Sequence, residues 1–160
     1  MITLDEVNGM NEAEFVAAFS NVAEHSPWVA ERAFAHRHAL RQAFAEAVQT
    51  APETLQLSLI RAHPDLATKA KLTTDSSNEQ KGAGLDTLTA EEFARFTALN
   101  NQYKAQNGFP FIFAVKGASK YQILESFEAR IHNGRDEEFQ VALQQVCKII
   151  GFRLEARIKL

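Results

Sequence analysis

A chain of 160 residues with 46% hydrophobic and 23% charged residues has the composition of a folded domain with a sizeable core, which excludes a disordered tail or a fibrous repeat. Its net charge of −3 and pI of about 6.0 come without a long basic run, so neither nucleic acid nor an anionic membrane surface is expected as a partner. The single cysteine, Cys147, excludes a disulfide framework and a CxxC metal site.

Helix signals dominate in chain order. Residues 1–6 carry neither a basic nor an apolar leader pattern, so no signal peptide is expected. Asn11-Glu12-Ala13-Glu14 places a capping residue three positions before an acid, ahead of Phe15, Val16 and Phe19. Ser26-Pro27 supplies a cap and a first-turn proline before Trp28. Residues 35–48 carry Leu40, Phe44, Ala47 and Val48 at helical spacing. Pro52 opens a helix through Leu55, Leu59 and Ile60, which must end near His63 because Pro64 disfavours helical backbone before it.

Ser76-Ser77-Asn78-Glu79 reads as a further capping box, and Gly82-Ala83-Gly84 lets the backbone turn sharply or approach a ligand. Thr89-Ala90-Glu91-Glu92 starts a helix through Phe93, Phe96, Leu99 and Tyr103 that stops near Asn107-Gly108. Residues 109–115, Phe-Pro-Phe-Ile-Phe-Ala-Val, form the one strand-like run, expected as a buried extended segment and not as part of a sheet. Lys116-Gly117 suits a turn, and Ser119 caps a helix through Ile123, Phe127 and Ile131 that Asn133-Gly134 ends. The last helix is expected from about Asp136 to the end of the chain, with Phe139, Leu143, Val146 and Ile150 as its core stripe. The fold class is therefore all-α: a single-domain helical bundle, residues 1–160, with one short extended Phe-Pro-Phe segment. No run of 18 apolar residues is present, and a reducing cytoplasm suits the chain.

The residues that can carry chemistry cluster at His63-Pro64-Asp65-Leu66-Ala67 and in the Ser76–Leu85 stretch that follows. A histidine moves protons near neutral pH, and a nearby glutamate can orient it or share the transfer. His63 can also serve only as a cation at a helix C-terminus, and Glu79 only as the third residue of a capping box. The other histidines, His25, His36, His38 and His132, read as surface residues. No second histidine stands three or four residues from His63 and there is no HExxH, so no metal site is expected. Arg153 falls on the apolar stripe of the last helix. It is either half of an internal ion pair or a clamp on a substrate carboxylate. Arg61 is a solvated charge or a pocket edge. Cys147, in an apolar stretch, reads as packing. The extended segment leaves backbone N–H groups without helical partners, ready for ligand oxygens.

The set His63-Pro64-Asp65-Leu66, Ser76-x-x-Glu79-Gln80-x-x-Ala83-Gly84-Leu85, Leu99-Asn100-x-x-Tyr103, Gly108-Phe109-Pro110-Phe111-Ile112 and Arg153-Leu154 closely resembles the 2-oxo-4-hydroxy-4-carboxy-5-ureidoimidazoline (OHCU) decarboxylases of urate breakdown. The resemblance covers nearly the whole chain in order. It implies an all-α homodimer that converts OHCU to (S)-allantoin with loss of CO2 and without a cofactor. It also implies that His63 and Glu79 are catalytic, that Ser76, Gln80 and Arg153 contact substrate, and that Pro64 with the Phe111 and Ile112 backbone forms the pocket wall. The peroxisomal signal of eukaryotic members and a fused transthyretin-like hydrolase domain are absent, which suits a bacterial-type cytoplasmic form. The competing expectation is a helical module that binds a ureido acid without catalysis.

Overall fold

The computed structural model describes residues 1–159 and divides into two compact units. The first unit holds Met1–Ala62 together with the chain from Val146 onward; the second is His63–Gln145. The architecture is all-α, as the apolar periodicities require.

In the first unit, a two-residue strand β1 (Ile2–Thr3) leads into helices α1 (Leu4–Gly9), α2 (Glu12–Phe19) and α3 (Trp28–Ala33). A 3-10 turn (Phe34–Ala39) then precedes α4 (Leu40–Gln49) and α5 (Glu53–Arg61). The Asn11 box is present, with the Glu14 N–H donating to Asn11 and the Asn11 N–H donating to Glu14, both at 2.9 Å. Phe15, Phe19 and Phe44 are wholly buried and meet in tilted and edge-on pairs, ring centres 4.9–6.1 Å apart, the aromatic centre of this unit.

Three expectations fail here for local reasons. Ser26 does not cap α3; its hydroxyl donates backward to the Glu24 carbonyl at 2.8 Å, and Pro27 occupies the cap position. The helix expected over 35–48 is broken, because residues 34–39 wind as 3-10 and His36 leaves helical dihedrals at φ −118°, ψ 25°. Apolar spacing of three and four does not separate a 3-10 turn from an α-helix of that length. The last helix does not run to the end of the described chain. It stops at Arg157, and Ile158–Lys159 form a short strand, β2, that pairs in parallel with β1, Ile2 opposite Ile158.

In the second unit, α6 (Thr74–Gly82) and α7 (Ala90–Asn107) precede an extended stretch over residues 109–115, followed by α8 (Lys120–Arg130). Helix α9 (Arg135–Arg157) begins in this unit and ends in the other. Thr89 and Ser119 make reciprocal capping boxes with Glu92 and Gln122. Gly108 closes α7 in the left-handed region at φ 77°, where a Cβ would be strained. The extended stretch is largely buried and pairs with no strand among the described residues, as its composition indicated. Phe111 lies flat on Phe127 at 3.8 Å, and Tyr103 meets both rings edge-on.

Helix α6 corrects the reading of its own start. Thr73, not Ser76, is the N-cap: its hydroxyl accepts from the Ser76 N–H at 3.3 Å. The Ser76…Glu79 spacing imitates a capping box but lies inside the helix. At its other end α6 closes with Gly84 at φ 81°, the Gly84 N–H bonded to the Lys81 carbonyl and the Leu85 N–H to the Gln80 carbonyl, both at 3.0 Å. This is the paired closure that a left-handed glycine permits, so the glycine run is used for a turn.

Candidate active site

Helix α6 is polar along its length, and what it buries is polar too: Ser76 and Gln80 are 4% and 7% exposed, and Glu79 between them is half-buried. Positions 76, 79, 80 and 83 share one helical face. A helix that buries serine and glutamine where apolar residues would be cheaper has those groups in use. With the helix start moved to Thr73, Glu79 has no N-terminal capping duty, which removes the main structural rival to a chemical role.

His63 is the first residue of this unit and is also buried, 7% exposed, directly after the last turn of α5. The turn that carries it, residues 63–67, is held by side chains from two helices. The Gln80 amide bridges it, its Nε2 donating to the Asp65 carbonyl at 3.2 Å and its Oε1 accepting from the Ala67 N–H at 3.0 Å. Asn100 of α7 donates to the Leu66 carbonyl at 2.9 Å. One helical turn on, Lys104 pairs with the Asp65 carboxylate at 2.7 Å. Ala67 sits at φ +57°, a conformation that a residue with a Cβ adopts only under constraint.

The buried segment containing Phe111 and Ile112 is fixed by a second cluster. Arg130 of α8 donates from Nη1 to the Ile112 carbonyl at 2.7 Å and lays its guanidinium 4.2 Å over the Phe111 ring. Its Nε donates to Glu138 at 2.9 Å. Glu138 has no exposed surface and also accepts from the Tyr103 hydroxyl at 2.7 Å and from Asn133 at 3.0 Å. Burial, then the Glu138 carboxylate, push the Tyr103 phenol far above its ordinary range, so it remains a donor. Part of the segment's backbone is therefore committed internally, since Gln145 also takes the Ala114 N–H at 3.0 Å.

The second unit thus holds His63, Pro64, Ser76, Glu79, Gln80, Phe111 and Ile112. Arg153 belongs to the first unit. There it is 4% exposed, 3.0 Å from Glu24, and donates to the Val22 carbonyl at 3.2 Å. Arg61 is exposed, as are His25, His36, His38 and His132. Cys147 is half-buried, and desolvation pushes its thiol up to about 11, so it is not a nucleophile near neutral pH. Among the described residues no group of three or more His, Cys, Asp or Glu is placed to hold a metal ion, and no helix is long and apolar enough to cross a membrane.

Sequence reasoning passed over Lys104, Arg130, Glu138 and Glu24, and met Asn100 only within a family motif, with no role attached to it. A signal existed for two of them: Asn100 stands on the apolar face of α7 beside Leu99 and Tyr103, and Glu138 beside Phe139 on α9. A lone polar residue on a core face needs a fixed partner.

The family model described as OHCU decarboxylase matches residues 8–155. A protein of Halalkalicoccus jeotgali named 2-oxo-4-hydroxy-4-carboxy-5-ureidoimidazoline decarboxylase is 42% identical over 159 residues, covering 96% of this chain and 90% of its own. A protein of the same name from Haloferax volcanii is 40% identical, covering 98% of this chain and 96% of its own. Among solved structures, a crystal structure of (S)-allantoin synthase superposes with a TM-score of 0.82 at 31% identity. It covers 99% of this chain, which spans 54% of that longer one.

Proposed function

The chain belongs to the OHCU decarboxylase family, and from that membership we propose that it converts OHCU to (S)-allantoin with release of CO2, a step of urate breakdown. The observation that carries the reading is the polar burial of α6: Ser76 and Gln80 buried, Glu79 half-buried, in the same unit as a buried histidine on a strained, clamped turn. We take the two units as one catalytic domain, a reading supported by a family match that runs across both.

The substrate's own atoms set what the protein must do. OHCU has a carbon–nitrogen double bond beside the carbon that bears the carboxylate and the hydroxyl. When the C4–carboxylate bond breaks, its electron pair forms a C4–C5 double bond and the imine pair moves to nitrogen, which takes a proton. The 4-hydroxyl then gives up its proton as the C4 carbonyl forms, and C5 accepts one proton. In total one CO2 leaves and one proton is taken up. The sink lies in the substrate, so the chemistry asks for no pyridoxal or thiamine. The reading includes no metal or organic cofactor.

What the protein supplies is orientation and directed proton transfer. His63 and Glu79 are assigned the proton work. Ser76, Gln80 and Arg153 are assigned the holding of polar substrate groups, with Pro64 and the Phe111 and Ile112 backbone as the wall. Gln80 already spends one hydrogen and one lone pair on the turn; its amide retains capacity for a ligand on each side. Arg153 is pre-oriented by Glu24, so a substrate carboxylate would join an existing pair. The reading further places the chain in the cytoplasm as a homodimer, with no nucleic-acid or membrane partner.

The test is the product's handedness. Freshly generated OHCU loses CO2 unaided, and the free intermediate takes a proton on either face. Circular dichroism during decay should show rapid formation of (S)-allantoin by the wild type, unaffected by chelator. His63→Ala should abolish the enzymatic rate in a folded protein, and Glu79→Gln should lower turnover by about 10²-fold or more. Racemic product at the unaided rate would sink the assignment; binding of substrate at that rate would favour a non-catalytic ureido-acid module. Fast, optically active product from a folded His63→Ala variant would remove His63 from the mechanism.

A further inference from the structure

We propose that Asn100 is a positioning residue for this reaction, acting through the turn that carries His63. The proposal rests on the reading of His63 as a proton-transfer group. Asn100 is 6% exposed on the core face of α7, with Leu99 and Tyr103 buried nearby on the same helix. Its Nδ2 donates to the Leu66 carbonyl at 2.9 Å, while its Oδ1 is buried and meets no hydrogen-bonding partner. The amide cannot be turned over to relieve that oxygen, because two carbonyl oxygens would then face each other at hydrogen-bond distance.

A buried acceptor left unmade costs the full desolvation of that atom. A leucine would fill the same face without that cost, so core stability alone does not account for asparagine here. The return lies in what Nδ2 holds. Leu66 is the centre of the turn. On one side the Asp65 carbonyl and on the other the Ala67 N–H are bound by Gln80. Ala67 is held at φ +57°, so the turn does not keep its shape by local preference. The Lys104–Asp65 pair is the more exposed of the clamps, with the lysine side chain 42% accessible. Without Asn100 the peptide between Leu66 and Ala67 keeps only the bond from its N–H to Gln80, and His63, joined to it through Pro64 and Asp65, is aimed less tightly.

Two variants of the full chain test this with freshly generated OHCU. Asn100→Leu removes both the donor and the unpaired oxygen. It should stay folded by far-ultraviolet circular dichroism, lose about 10- to 100-fold in kcat, the scale of a misplaced catalytic group, and give product of lower optical purity. KM should move by less than about threefold, since Asn100 does not hold substrate in this reading. Asn100→Asp restores a donor only while its carboxyl is protonated; ionised, it sets a charge against the Leu66 carbonyl. Its kcat should therefore recover towards acid pH, a recovery absent from the wild-type profile.

Unchanged kcat in folded Asn100→Leu, or a rise in KM alone, overturns the proposal. If that variant does not fold, the Asp variant decides, and a pH profile parallel to wild type overturns it. A wild type that does not accelerate CO2 release overturns the decarboxylase reading and this proposal with it. An active wild type beside an indifferent Asn100→Leu overturns this proposal alone.

Discussion

Each unit of this molecule buries an arginine–glutamate pair, and the two are built differently. In the second unit the Glu138 carboxylate accepts from Arg130, Tyr103 and Asn133, while Arg130 also covers Phe111 and binds the Ile112 carbonyl. Every group there faces another part of the protein, and the product of the arrangement is a fixed extended segment. In the first unit Arg153 meets Glu24 and the Val22 carbonyl, on a loop whose own backbone is braced by Ser26. The same two residue types thus serve as a fastener in one place and, in the function proposed here, as a held cation awaiting an anion in the other. Burial alone does not distinguish them, because Glu24 and Glu138 are 2% and 0% exposed. What marks the Glu138 carboxylate is that it ties together α7, α8 and the turn before α9.

The largest expected effect tests the fastener. Glu138→Ala leaves the Arg130 charge and the Tyr103 hydroxyl uncompensated and should cost about 3–5 kcal/mol, the scale for removing one partner of a buried pair. Urea unfolding followed by both fluorescence and far-ultraviolet circular dichroism measures it. Coincident curves would also support one cooperative domain spanning both units. A loss below about 1 kcal/mol would place Glu138 with ordinary surface pairs and dissolve the contrast.

A smaller effect tests the held cation. Arg153→Lys keeps the charge opposite Glu24 but loses the planar fork, so unfolding should change little while kcat/KM falls by roughly tenfold or more. Unaltered kcat/KM would make Arg153 a fastener like Arg130. A large stability loss with activity per folded molecule retained would do the same.

The smallest effect sharpens the first unit's contrast with the second by titration. Tyr103→Phe removes one donor from Glu138 and should cost about 1–2 kcal/mol at neutral pH. The phenol's pKa is raised on folding, by burial first and by Glu138 second. Its contribution is therefore complete below the unfolded value of about 10 and is lost as pH rises beyond it, because the unfolded chain then releases the proton first. The wild type's advantage over Tyr103→Phe should shrink between about pH 9 and pH 11. A constant difference across that range would mean the phenol is not desolvated.

How much of this was legible beforehand depended on the range of the interaction. The boxes at Asn11, Thr89 and Ser119 involve residues three apart, and the glycine after Asn107 acts on its own helix; all are visible in the chain as written. The start of α6 was not, because Ser76 and Glu79 offer the same three-residue signal one turn inside the helix, while the real cap, Thr73, has a serine where a box would have an acid. The candidate residues His63, Glu79 and Gln80 stood out by type and by the family resemblance. The bonds that hold them did not. Asn100 and Leu66 are 34 positions apart, and Tyr103 and Glu138 are 35 apart. Nothing in local periodicity couples such pairs; only the packed helices bring them together. The same limit hid Glu24, whose partner lies near the other end of the chain.

Ala67 carries a consequence for anyone engineering this protein. Glycine is the natural substitute at φ +57°, and Ala67→Gly would release the strain of the Cβ. It would also give the unfolded chain more freedom, by about 0.4–1 kcal/mol, so the two changes nearly offset and the melting temperature would scarcely register the substitution. The turn beside His63 would nonetheless have lost its stiffest joint. A screen that ranks variants by heat resistance would pass this one as neutral, and only a turnover measurement would reveal what had been given up.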